Sequence, residues 1–219
     1  MAQNNQRVIL FVNGDLNAPE KLRAFLQPTD VLIAVDGGLR HLVTLGLTPD
    51  LILGDLDSAN PSDVQKFEKS GVPVQRYPAE KNETDLELGI NAAFERGTTA
   101  IRIVAALGGR LDQTLGNIYL LTQPRLAKID VRLIDGEQEV FLIRNQATLN
   151  GQPGQIVSLI PLLGPVPGVT TGKLAYPLRH ETLYPDRTRG ISNLMTADTA
   201  TVSIDSGVLL CIHTYNETY

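Results

Sequence analysis

Asp55 and Asp57 follow a short apolar run, Leu51-Ile52-Leu53, in the stretch Gly54-Asp55-Leu56-Asp57-Ser58. Two residues apart in extended backbone, their side chains point to the same face. Carboxylates held roughly 4 Å apart repel by about 4 kcal/mol at an effective dielectric near 20. Such a pair calls for a proton, a lysine or arginine, or a divalent cation. An acidic turn capping the next helix would use the same residues, so the meaning of the pair depends on what else reaches it.

Several other polar and glycine-rich segments carry chemistry of the same kind. Gly37-Gly38 and Gly108-Gly109 each stand between a strand-like and a helix-like segment. Bare backbone N–H groups and a helix dipole at such a junction can hold phosphate, and tight-turn geometry accounts for either pair taken alone. Lys81 could neutralise a phosphate. Thr84-Asp85-Leu86-Glu87 matches a capping box, which explains Thr84 and Glu87 and leaves Asp85 in the first helical turn as a third metal-directed carboxylate. Asp112 is a candidate fourth, with Arg110 beside it as a phosphate partner. The standard nucleotide loops are missing: no GxGxxG follows a strand and no GxxxxGK[ST] occurs. The segment from Gly168 to Lys173 is one residue short of the latter and lacks the Ser/Thr after lysine.

Positioning these residues falls to alternating elements. Val8 to Val12, Val31 to Val35, Leu51 to Leu53, Val72 to Tyr77, Ile101 to Ala106 and Val131 to Ile134 read as strands. Between them, helices are expected near residues 18–26, after Gly38 up to Gly46, after Asn60-Pro61, from Thr84 to before Gly97, and along Leu111, Leu115, Ile118 and Tyr119. Such alternation is the pattern of a parallel sheet with crossover helices. Ligands bind outside the carboxyl ends of the strands in such sheets. Asn13-Gly14-Asp15, Asp36-Gly37-Gly38, residues 54–58, 80–85 and 108–112 all fall at those ends, so the topology gathers them on one edge.

After about Glu137 the pattern changes. Val140 to Ile143, Ile156 to Ile160, Val166 to Thr171, Thr199 to Ile204 and Val208 to Thr214 are short β-prone runs punctuated by Gly and Pro, with no helical stripe. The expected fold class is α/β. A parallel-sheet, Rossmann-like domain over residues 1–137 is followed by an all-β sandwich over 138–219.

Composition narrows the partners. The formal net charge of -5 gives no electrostatic reason for nucleic acid or an anionic membrane. The polar residues 1–7 do not resemble a signal peptide, and no apolar stretch approaches the ~18 residues of a membrane span. Cys211, the sole cysteine, rules out an internal disulfide and reads as a core strand residue. His41, His180 and His213 are too scattered to indicate zinc. A cytoplasmic setting is expected.

Six segments in order carry a resemblance. Asp36-Gly37-Gly38, Gly54-Asp55-Leu56-Asp57-Ser58, Lys81-Asn82-Glu83-Thr84-Asp85, Gly108-Gly109-Arg110-Leu111-Asp112-Gln113, Gly172-Lys173-Leu174-Ala175-Tyr176-Pro177-Leu178 and Gly190-Ile191-Ser192-Asn193 are similar to the motifs of thiamine pyrophosphokinases. The resemblance spans nearly the whole chain. It implies an N-terminal ATP-binding catalytic domain, a C-terminal thiamine-binding β-sandwich, Mg²⁺ dependence, and a homodimer with active sites between subunits. The implied reaction is ATP plus thiamine giving thiamine pyrophosphate plus AMP, a step of thiamine diphosphate biosynthesis. It implies Asp55, Asp57, Asp85 and Asp112 as catalytic residues, the first three holding the metal. Asp36, Gly37, Gly38, Ser58, Lys81, Thr84, Gly108, Gly109 and Arg110 would meet ATP and its phosphates. Gln113, Tyr176, Ser192 and Asn193 would meet thiamine. One departure stands out: the family commonly has an aspartate where this chain has Asn82.

Two rival readings use the same residues. One is another Mg²⁺-dependent pyrophosphokinase or phosphohydrolase acting on a different alcohol, such as a pterin. The other is a non-catalytic nucleotide or thiamine sensor, with Asn82 marking lost chemistry.

Overall fold

Continuous apolar runs become the strands of the N-terminal half, as happens where both faces of a sheet are covered. The structure, a computed structural model, describes residues 6–215; the polar stretch 1–5, read above as unlike a signal peptide, lies outside the described residues. The chain divides into two compact units between Gly136 and Glu137. In the first unit β1 (Arg7–Phe11), α1 (Pro19–Phe25), β2 (Val31–Val35), α2 (Leu39–Leu45), β3 (Leu51–Gly54), α3 (Pro61–Lys69), β4 (Val74–Arg76), α4 (Asp85–Glu95), β5 (Ala100–Val104), α5 (Leu111–Leu120) and β6 (Asp130–Ile134) follow one another. The strands pair in parallel in the order β6-β5-β1-β2-β3-β4. Strand order therefore reverses at β1, which lies between β2 and β5, and a crevice opens at such a reversal.

Local signals set the helix starts. The Asn60 side chain accepts from the Ser62 N–H at 2.9 Å, with Pro61 in the first helical position of α3. Thr84 Oγ1 accepts from the Glu87 N–H at 3.3 Å and begins α4, while α2 stops at the left-handed Gly46. Ile9, Phe11, Leu22, Leu39, Leu42, Ile52, Val64 and Phe67 form one shared core from β1, β3 and helices α1 to α3. Each such side chain, fully buried, contributes roughly 1.5–3 kcal/mol. Helix α5 departs from this pattern. Its expected stripe stays open, with Leu111 71% exposed and Leu115 and Tyr119 also accessible.

The second unit is antiparallel throughout. Its strands are β7 (Gln138–Ile143), β8 (Gln146–Asn150), β9 (Ile156–Pro161), β10 (Val166–Gly172), β11 (Glu181–Leu183), β12 (Asn193–Leu194), β13 (Thr199–Ser203) and β14 (Leu209–Thr214). One set runs β12-β9-β14-β7 and a separate sheet runs β11-β10-β13-β8. Both contribute to one cluster that includes Phe141, Leu149, Leu159, Val169, Val202 and Cys211. The whole is a mixed α/β fold. Sequence pattern did not reveal β8, β11 or β12. Strand β8 buries only Leu149 and is otherwise open or half-open, and the other two have three and two residues, too few to establish a period. No helix among the described residues is long and apolar enough to cross a membrane.

Candidate active site

Among the described residues six non-glycine residues have positive φ, and three of them lie just past strand ends of the first unit: Asp36 (φ 48) after β2, Leu56 (φ 63) after β3 and Ala105 (φ 60) after β5. Left-handed backbone costs of order 1–3 kcal/mol for such residues and tends to persist where it serves a site. Leu56 also corrects the route by which the two aspartates meet. Strand β3 ends at Gly54, so Asp55 and Asp57 flank a left-handed turn rather than alternate along extended chain. The turn is closed by the Asp57 N–H donating to Asp55 Oδ1 at 3.3 Å and by Ser58 Oγ donating to Asp57 Oδ1 at 2.9 Å.

The third carboxylate to join them is Asp36, not Asp85. Ligand oxygens of Asp36, Asp55 and Asp57 lie within 4.8 Å of one another. Asp36 is 6% exposed and accepts from the Ser58 N–H at 3.3 Å. Burial pushes its pKa up, the Gly37 and Ser58 N–H groups pull the other way, and the charges of Asp85 and Asp57 add to the rise. Asp85 faces Lys81 instead: Lys81 Nζ lies 2.9 Å from Asp85 Oδ1 and 3.5 Å from Asp55 Oδ2. Burial opposes the lysine charge, but Asp85 and Asp55 outweigh it and the Lys81 pKa is raised. The ammonium is the partner of the buried Asp85 Oδ1, for which no other hydrogen-bond donor is in reach. An all-oxygen, carboxylate-rich set fits a hard cation such as Mg²⁺.

A cleft of about 540 Å³ opens beside this cluster, between the chain after β1 and the chain after β5. Asp36, Asp55, Lys81, Thr84, Asp85, Gly108, Gly109, Arg110 and Gln113, all expected site residues, line it; Asp57, Ser58 and Asp112 lie outside its lining. Gly108 and Gly109 both have positive φ and face open space, so their backbone is free to approach a ligand. Gly37 and Gly38 differ. Both are buried, and a Cβ on Gly38 would stand 1.9 Å from the Phe11 carbonyl oxygen, so close packing requires a glycine at this position. Arg110 and Asp112 close on each other at 3.2 and 2.5 Å, and this hydrogen bonding lowers the Asp112 pKa and raises that of Arg110. Asn82 is exposed and absent from the lining.

Several supporting residues escaped sequence reasoning. Arg40 donates to the main-chain oxygens of Asn13 and Gly14, each at 2.8 Å, and to the Asn13 side chain. The buried His41 places Nε2 2.9 Å from the Gly14 oxygen, and burial lowers its pKa. Together they clamp the loop after β1, while Asn117 Nδ2 donates to the Ala106 oxygen at 2.9 Å and ties α5 to the loop after β5. Only the polar triplet Asn13-Gly14-Asp15 at a strand end hinted that this loop needed holding.

The second unit has its own hollow of about 410 Å³, lined by Tyr176, Leu178, Thr188, Arg189, Gly190, Ile191, Ser192 and Asn193. Tyr176 is 61% exposed, an open aromatic face. Asn193, 4% exposed, spends its amide on the main chain: Oδ1 accepts from the N–H groups of Tyr176 and Leu194, both at 2.9 Å, and Nδ2 donates to the Tyr176 oxygen at 2.6 Å. Asn193 therefore holds the Tyr176 main chain in place. Ser192 has φ 57 and donates its N–H to Ser158 Oγ at 3.0 Å.

Comparison with known proteins places the chain in a family. The family described as "Thiamin pyrophosphokinase, catalytic domain" matches residues 22–133, and "Thiamin pyrophosphokinase, vitamin B1 binding domain" matches residues 143–209. The chain is 29% identical to a thiamine pyrophosphokinase of Bacillus subtilis over 93% of this chain and 96% of that protein. The crystal structure of a B. subtilis thiamine pyrophosphokinase superposes with a TM-score of 0.85 at 26% identity, covering 97% of this chain and 99% of that one. A Candida albicans thiamin pyrophosphokinase shares the fold, with a TM-score of 0.81 at 18% identity over 97% and 90% of the two chains. With one family match on each side of the unit boundary and both in chain order, this protein belongs to the thiamin pyrophosphokinase family.

Proposed function

We propose that this protein transfers the pyrophosphoryl group of ATP to the hydroxyl of thiamine, giving thiamine pyrophosphate and AMP. The observation that carries the reading is the meeting of Asp36, Asp55 and Asp57 within 4.8 Å beside a cleft at the strand-order reversal. In this reading the first unit is a Rossmann-like ATP-binding domain over about residues 1–137 and the second a thiamine-binding β-sandwich over 138–219. Asp55 and Asp57 with Asp36, and Asp85 once released from Lys81, would hold Mg²⁺, which offsets polyphosphate charge when bound.

The chain's own residues supply position and charge. The thiamine oxygen forms a bond to the β-phosphorus while the bond from that phosphorus to the AMP oxygen breaks, and the hydroxyl proton is released to solvent. Lys81, Arg110 and the open backbone at Gly108-Gly109 meet the phosphates, with Asp112 orienting Arg110. Thr84 and Ser58 act by fixing the loops that carry Asp85 and Asp57. Gln113 is assigned to the thiamine side of the cleft. Tyr176 offers its face to the cationic thiamine, with Ser192 beside it and Asn193 fixing its backbone. A cytoplasmic setting and a homodimer with active sites at the subunit interface are part of this proposal.

Incubation with ATP, Mg²⁺ and thiamine tests the reaction. The expected products are AMP and thiamine pyrophosphate, neither formed when thiamine is omitted. ADP, free phosphate, or binding without turnover would reject it.

A further inference from the structure

The acidic cluster already contains a cation of its own. Lys81 Nζ sits between Asp85 Oδ1 at 2.9 Å and Asp55 Oδ2 at 3.5 Å, with its side chain 10% exposed. It reaches there from the loop before α4, whose backbone turns through the Lys81 N–H to the Ala79 oxygen at 3.1 Å. The aspartates it bridges come from two different strand ends, so the ammonium joins the turn after β3 to the start of α4. It also lines the cleft.

We propose that Lys81 is a resident counter-cation that a divalent ion must displace, so that metal enters together with polyphosphate and binds poorly alone. The inference rests on the metal–polyphosphate reading given above. A dication held by Asp55 or Asp85 would lie within a few ångströms of the ammonium and be repelled by it. Lysine carries a compact charge on a flexible four-carbon stem, so it can move where a planar guanidinium could not. A polyphosphate entering the cleft brings oxygens to accept the displaced ammonium. The same event frees Asp85 Oδ1, which is paired with the ammonium while Lys81 is in place. The site thus trades the two internal ion pairs of Lys81 for contacts of carboxylate to metal and ammonium to phosphate, and makes the trade only when both ligands arrive.

Calorimetric titration of the nucleotide-free protein with MgCl₂ tests this in the unmodified chain, Lys81→Met, Lys81→Gln and Asp57→Asn, with thermal melts confirming the folded state of each. Lys81→Met and Lys81→Gln should bind Mg²⁺ alone about tenfold tighter than the unmodified protein. The same two variants should bind a non-hydrolysable ATP analogue with Mg²⁺ more weakly. Mg²⁺ binding that is unchanged or weaker in both lysine variants, yet lost in Asp57→Asn, would overturn the counter-cation role and leave the metal site standing. If no variant, nor the unmodified chain, takes up Mg²⁺ even with the analogue present, the metal reading itself fails and this inference with it.

Discussion

The cleft of the first unit and the hollow of the second are built on opposite plans. The cleft concentrates charge: three carboxylates meet, a lysine bridges two aspartates, and the backbone that presents them is strained at Asp36, Leu56 and Ala105. The hollow concentrates shape. Its aromatic is open, and Asn193, its buried polar side chain, is spent on fixing the Tyr176 main chain. Charge in the cleft comes from distant strand ends, so losing one group should impair chemistry far more than folding. In the hollow, binding depends on an aromatic surface held in place, so losses should appear in affinity for one substrate.

Asp57→Asn puts the greatest strain on this contrast. It should reduce turnover about a thousandfold or more, the scale of removing a group that stabilises transferring charge, while the melting temperature stays near that of the unmodified protein. Near-normal turnover would remove Asp57 from the charged plan. Gly38→Ala asks whether the cleft floor depends on close packing. With a Cβ 1.9 Å from the Phe11 oxygen, the substitution should cost about 3 kcal/mol or more in denaturant unfolding, and an unaltered midpoint would contradict the packing argument.

Smaller effects belong to the hollow and to the loop brace. Tyr176→Ala should raise the thiamine KM roughly tenfold with little change in the ATP KM, as expected for losing an aromatic contact to a cation. Asn193→Ala should shift the same constant, and the double variant should do little more than either alone, because one residue acts through the other. Additive losses would show that Asn193 meets the ligand by itself. His41 gives the mildest signal. Its pKa is lowered from 6.5 by burial, so the unfolded chain takes up its proton first as pH falls. Stability is therefore full above about pH 6.5 and declines below it, by at most about 1.4 kcal/mol per pH unit for one proton. Comparison of unfolding curves between pH 5 and 7.5 should show a shallower acid decline in His41→Gln; identical slopes would contradict it.

Much of the first unit was legible because its signals are local. Asn60-Pro61 and Thr84 to Glu87 start helices by hydrogen bonds within four residues, and the buried strands are unbroken apolar runs. Strands β11 and β12 were not legible, since two or three residues reveal no period and their pairing comes from β10 and β9. The apolar row of α5 was visible, but its exposure was not: spacing shows that a face exists, and only neighbouring elements decide whether it is covered.

The site divides in the same way. By itself the sequence determined which residue types stand at strand ends, the aspartates, the glycine pairs and Lys81, because strand-to-helix punctuation is a property of short segments. Tertiary structure alone decided the partners. It brought Asp36 to Asp55 and Asp57, placed Lys81 between Asp55 and Asp85, packed Gly38 against Phe11 and turned Asn193 inward to Tyr176. Each of those pairings depends on parallel register, a left-handed turn or a cross-strand contact. Apart from Lys81 and Asp85, which stand four residues apart, these contacts join residues distant in the chain, and no spacing along it records them.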